Sequence, residues 1–254
     1  MKKLLLSAIS VVLLNTASTA DILGAEVGYA SWNPSLTGTI QKDADIIDFE
    51  DDLGFGSNQA NSFLWVYIDH PVPILPNLKI QKTNYSVSAT SINSNISTNV
   101  PTFTTVALTG KVDTKFTLNQ LDIIAYWRIL DNWVNFDLGL NLKKIDGNIK
   151  MNSFAMHLAN KPVNESFNVT VPMLYTKARF DLPFTGASVK ADISYISFQG
   201  NKLSDMKFGV VYESDYGLGG TIGMRKENIT IDDVDGINGD INIDGIYAGL
   251  FYHF

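Results

Sequence analysis

The residues able to do chemistry in this sequence are few and scattered. It contains no cysteine, which excludes a thiolate metal site, a cysteine nucleophile, a disulfide framework and a lipid-anchored cysteine. Three histidines are available for acid/base work or metal binding. His70 opens a proline-rich turn, His157 lies in a long polar connection and His253 is the penultimate residue, positions that do not converge. No Asp-X-His spacing accompanies His157, and no histidine shares a strand face with a serine it could activate. No catalytic centre is expected.

Carboxylates are the next candidates. Residues 33–59 carry Asp43, Asp45, Asp48, Glu50, Asp51 and Asp52 against Lys42 alone, and residues 230–244 carry Asp232, Asp233, Asp235, Asp240 and Asp244 with no base. Hard divalent cations bind carboxylate oxygen, so weak, millimolar-range calcium binding centred on Asp48, Asp51, Asp52, Asp233 and Asp235 is the one metal expectation, with no other cofactor. Asp232-Asp233-Val234-Asp235-Gly236 is not an EF-hand loop, since the third acidic ligand before the glycine and the closing glutamate are missing.

A third set of charges sits at alternate positions inside apolar stretches: Glu26, Asp122, Arg128, Asp137, Lys143, Lys177, Arg179, Lys190, Asp192, Lys207 and Arg225, with Asp181, Glu213 and Glu227. These charges imply strands. A strand sends successive side chains to opposite sides, so Phe136, Leu138, Leu140 and Leu142 lie on one face while Asp137, Asn141 and Lys143 lie on the other. No helical period competes with this one.

About ten such segments follow one another, near residues 22–32, 60–69, 76–88, 112–129, 132–148, 165–181, 186–198, 204–214, 217–229 and 243–254. Several reach the roughly ten residues of a tilted membrane-spanning strand. A register break is expected in the third, where apolar residues change face. Connections at 70–75, 130–131, 182–185 and 215–216 are short, whereas those after strands one, three, five and nine are long and polar; 199–203 is a short exception. Sorted connections of this kind fit an outer-membrane barrel. Trp32, Trp127, Trp133, Tyr195, Tyr252 and Phe254 near strand ends are expected to form its aromatic girdle.

Targeting and charge agree. Lys2 and Lys3, the apolar run 4–14 and Ser18-Thr19-Ala20 make residues 1–20 an expected secretory signal cleaved near Ala20, leaving 21–254 as one barrel domain in the outer membrane. A net charge of −7 and a pI near 4.9 leave no basic footprint for nucleic acid. The expected fold is an all-β, antiparallel up-and-down barrel of ten strands, with eight as the alternative, closed between the first and last strands.

Two strings carry a resemblance. Asp48, Glu50 and Asp51-Asp52-Leu53-Gly54, then His70-Pro71-Val72-Pro73-Ile74-Leu75-Pro76-Asn77, together with the aromatic end Gly249-Leu250-Phe251-Tyr252-His253-Phe254, resemble a small uncharacterised family of single-domain outer-membrane β-barrel proteins of Gram-negative bacteria. The resemblance implies fold and location and no activity. The end also resembles the closing strand that barrel assembly machinery recognises, so that machinery and outer-membrane lipid are the expected partners of a monomer. Near-balanced signs in a narrow interior favour pairing across it, hence a structural or surface-interaction role. A narrow pore or small-solute transporter is the alternative. A rim hydrolase, suggested by ten-stranded outer-membrane proteases, is more remote because only His157 could reach that rim.

Overall fold

The computed structural model describes residues 24–42, 45–72, 74–98, 106–153, 163–234 and 236–254. The expected signal segment, His157, Asp43 and Asp235 lie outside the described residues. The strands are β1 (Gly24–Lys42), β2 (Asp45–Asp48), β3 (Asn61–Asp69), β4 (Asn77–Thr98), β5 (Val106–Asp131), β6 (Val134–Ser153), β7 (Val163–Asp181), β8 (Ala187–Phe198), β9 (Asn201–Glu213), β10 (Leu218–Val234) and β11 (Ile237–His253). Each barrel strand pairs antiparallel with the next, and β1 pairs with β11 from Glu26 opposite His253 to Lys42 opposite Ile237. That pairing closes a barrel of ten strands. β2 is a short addition to β1, bonded beyond the point where β3 ends.

Alternation decides which way each residue points. On β6, Leu138, Leu140 and Leu142 are exposed on the outer wall, while Asp137, Asn141 and Lys143 are buried inside. The same division puts Ile222, Met224, Ile246 and Leu250 outside and Arg225, Glu227, Ile243 and Tyr247 inside. Where large rings sweep the interior, small residues face them. A Cβ on Gly223 would lie 2.0 Å from the Phe208 carbonyl oxygen and 2.8 Å from the Tyr247 hydroxyl.

Two expectations about the elements are corrected. β4 holds one register against β5 from Asn77 to Ser91, with its irregularity between Ser91 and Ser94, so no break falls within 76–88. Its inward set is therefore Lys79, Gln81, Thr83, Tyr85 and Val87. The long polar connection expected after strand nine is instead mostly strand: β10 and β11 stay paired, past an irregularity between Ile231 and Val234, to Val234 opposite Ile237. Ladder hydrogen bonds satisfy a polar backbone wherever two strands run together, so polar side chains do not end a hairpin.

The wall is consequently uneven. β4 to β7 rise far, with Val112 opposite Ser153 and Met151 opposite Val163. β8 and β9 turn over at Gln199–Gly200, and the β7–β8 pairing ends at Leu174 opposite Tyr195.

Candidate functional site: a closed, charged lumen

The interior has three levels. Farthest from the short turns, Trp32, Leu36, Tyr85, Val87, Val112 and Ile243 pack as an apolar core. The segment after β2 covers it: Phe49, Leu53 and Phe55 are almost fully buried, and the rings of Phe49 and Phe55 meet edge to face at 6.2 Å. The acidic string builds this cover. Asp48 Oδ1 accepts from the amides of Glu50 and Asp51 at 2.8 and 2.9 Å, and Asp52 Oδ2 accepts from the Asp48 amide at 2.8 Å. Gly54, with φ of 78°, then takes the left-handed turn that side chains disfavour.

Below this cover an ionic layer crosses the barrel. Arg225 on β10 grips Asp205 on β9 with two bonds, Nε to Oδ1 at 3.0 Å and Nη2 to Oδ2 at 2.8 Å, and donates to Thr83 Oγ1 on β4 at 2.9 Å. Its guanidinium also stacks 4.7 Å from the centre of the Trp32 ring. Lys143 on β6 reaches Asp205 at 3.0 Å, Asp122 at 3.2 Å and Glu227 at 3.7 Å. Gln120 on β5 donates to both oxygens of Glu227, across the barrel, at 2.8 Å each. Arg225, Lys143 and Glu227 are completely buried. An isolated buried charge would be prohibitive, so the satisfied network is what makes this layer tolerable.

Nearest the short turns the lumen opens into a vestibule of about 1040 Å³. Its charges are paired along the wall: Arg128 with Asp69, Asp131 and Asp137, Lys177 with Asp137, and Arg179 with Asp181 and Glu213. His253 Nδ1 lies 3.0 Å from Glu213 Oε1 at the mouth. Between vestibule and ionic layer sit Lys79, Lys190, Lys207 and Asp192 around Tyr67.

Of the residues expected to form a girdle, Trp127, Trp133, Tyr195, Tyr252 and Phe254 are exposed on the outside, with Trp133 edge-on to Phe180 at 5.3 Å and Tyr252 edge-on to Phe254 at 4.7 Å. Trp32 does not belong to the girdle. It shares the parity of Glu26 and points inward, 1% exposed, with Nε1 donating to the Gly245 carbonyl at 3.3 Å. The turn between Trp127 and Trp133 is also displaced, from 130–131 to the two residues after Asp131.

The metal expectation fares differently. Asp48 and Asp52 are engaged in the cover, Asp233 adopts a positive φ in the β10–β11 hairpin, and among the described residues no group of three or more acidic or histidine side chains is arranged to hold a metal. The proline string proves to be a self-bonded turn. His70 Nε2 donates to the Pro76 carbonyl at 3.0 Å and its Nδ1 accepts from the Val72 amide at 3.2 Å, while the His70 amide donates to Asn77 Oδ1 at 3.0 Å. The Pro76 oxygen can only accept, which fixes the tautomer.

No family model matches the chain, and no curated protein matches its sequence. Solved structures that resemble it are barrels. Outer membrane protease OmpT of Escherichia coli aligns at 11% identity over 94% of this chain and 99% of that one, with a TM-score of 0.45. The translocator domain of the autotransporter NalP of Neisseria meningitidis aligns at 14% identity over 99% and 94%, with a TM-score of 0.42. Ail, the attachment invasion locus protein of Yersinia pestis, solved with the heparin analogue sucrose octasulfate, aligns at 12% identity over 91% and 99%, with a TM-score of 0.38. The architecture of this chain rests on its own closed register.

Sequence reading missed several of the residues that close the lumen. Asp205 was outside the alternating set because β9 begins earlier than its apolar run, and Lys79, Gln81 and Thr83 were hidden by the third strand's supposed break. Tyr67, Tyr126 and Tyr175 were readable by parity alone, as inward rings on strands with outward apolar neighbours.

Proposed function

We propose that this chain is an outer-membrane protein of the uncharacterised barrel family it resembles, closed to solutes and serving the envelope as a structural or surface-interaction element. What supports a membrane setting is the inverted arrangement of polarity. Leu140, Ile222 and Leu250 are 58%, 63% and 69% exposed on the outer wall while lysine, arginine and aspartate fill the inside. On β6 the apolar outer face runs from Val134 to Leu142, about the length a tilted strand needs to cross hydrocarbon. Lys82, Lys144 and Lys226 stand at its upper limit, where long cationic stems reach water. Ring closure leaves no unpaired strand edge in lipid.

The observation that carries the closed reading is the Arg225–Asp205–Lys143–Glu227 layer, which bonds walls on opposite sides of the barrel and lies beneath an apolar cover. Ten strands enclose little space, and here side chains fill it. The uneven wall, raised on β4–β7 and β10–β11, offers surfaces for contact outside the membrane. Planar-bilayer recording of the refolded chain tests the reading: no steady single-channel current is expected, and reproducible open-channel conductance would replace it with the pore.

A further inference from the structure

Three lysines at the top of the vestibule line one small cavity, and two of them share a single carboxylate. Lys79 Nζ lies 2.9 Å from Asp192 Oδ1, and Lys190 Nζ lies 3.8 Å from Asp192 Oδ2. Lys207 Nζ donates to Gln81 Oε1 at 2.7 Å and makes no ion pair among the described residues. Lys79 and Lys207 are buried, with 2% and 9% of their surface exposed. Lys79 and Lys190 also lie 4.7 and 4.8 Å from the centre of the Tyr67 ring, which spreads their charge without neutralising it.

Glu26 lines the same cavity. It accepts from Trp65 Nε1 at 2.5 Å, a neutral donor that leaves its negative charge facing the lysines, but it makes no ion pair with them. In the ionic layer, Asp122, Asp205 and Glu227 answer Lys143 and Arg225; the one extra negative charge there, with Asp192 and Glu26, balances the three lysines in total but puts no carboxylate oxygen within ion-pair distance of Lys207 among the described residues. Between these lysines lies a cavity of about 40 Å³, which shares Glu26, Tyr67 and Lys190 with the vestibule wall. A water needs about 10–15 Å³ on this measure, so the space suits about three waters or one compact anion.

We propose that this cavity is a binding site for one small anion, a halide or a compact oxyanion, entering from the vestibule and held by Lys79, Lys190 and Lys207. An anion there gives the buried Lys207 ammonium, whose one hydrogen-bond partner is the neutral Gln81, a direct counter-charge. The site does not depend on whether the lumen conducts, so its failure leaves the conductance test untouched.

Thermal unfolding of the refolded full chain in detergent tests it, with sodium bromide, formate or phosphate titrated against sodium gluconate at constant ionic strength. Gluconate is too large for the cavity. A saturable rise in midpoint of roughly 5–10 °C at about a hundredfold saturation is expected. The rise should vanish in Lys207→Met. Response to bromide assigns a halide site, and response to formate or phosphate alone assigns an oxyanion site. Equal midpoints in every salt, or an undiminished rise in Lys207→Met, would overturn the proposal. Should that variant fail to fold, crystals of the unaltered protein soaked in bromide decide: an anomalous peak beside Lys207 and Lys190 is expected, and its absence where surface bromides are visible refutes the site.

Discussion

Arg225 is the side chain on which the ionic layer most depends. It satisfies Asp205 with two bonds, ties β10 to β4 through Thr83 and covers the Trp32 ring. Arg225→Met should cost about 3–5 kcal/mol, because Asp205 and Glu227 would remain buried and short of cation. Lys226→Met, one residue along on the outer wall, should shift stability by no more than about 0.5 kcal/mol. Urea unfolding in detergent micelles compares the two. Strict alternation made Arg225, Lys143, Asp137 and Asp192 legible, since each interrupts an apolar run at every second place. Trp32 was misread for a different reason. Its parity matched Glu26, but its chemistry suggested an interface, and only the carbonyl of Gly245 and the guanidinium of Arg225 show how an indole is satisfied inside a polar barrel.

Among the elements, the hairpins β9–β10 and β3–β4 are the most exposed to simple tests. Gly209 and Gly223 pair directly under the Tyr247 hydroxyl. Gly223→Val should therefore force the Phe208 backbone and the Tyr247 ring apart, costing about 1–3 kcal/mol; loss of heat-dependent gel mobility at a lower temperature would register it. The β3–β4 turn depends on His70 for two of its bonds. His70→Ala should loosen it by about 1 kcal/mol in urea unfolding and leave the strands in register. The middle parts of the strands were legible because an apolar outer face and a charged lumen impose opposite polarity on successive residues. Their extensions were not. Beyond the apolar belt the outer face turns largely polar as well, so 89–98 and 230–244 read as loops, although the backbone register, with Thr90 opposite Asp113 and Thr230 opposite Asp240, holds them as sheet.

For the whole molecule, closure is the property that matters most, and it has a bearing on how the barrel comes to be. The extracted protein should show β-type circular dichroism and need detergent to stay in solution; partition into detergent-free buffer would end the membrane reading. The partners in the ionic layer come from opposite ends of the chain: Thr83, Gln120, Asp122 and Lys143 from β4–β6, Asp205, Arg225 and Glu227 from β9 and β10. A half-made sheet would therefore present Lys143 and Asp122 without most of their partners to whatever lies beside it. Such an intermediate is poorly suited to hydrocarbon and must stay hydrated until the later strands arrive. In the membrane setting proposed above, entry into the bilayer and ring closure should then be a single event, and a chain ended after Glu213 should be recovered from the aqueous fraction or degraded, never as a smaller barrel.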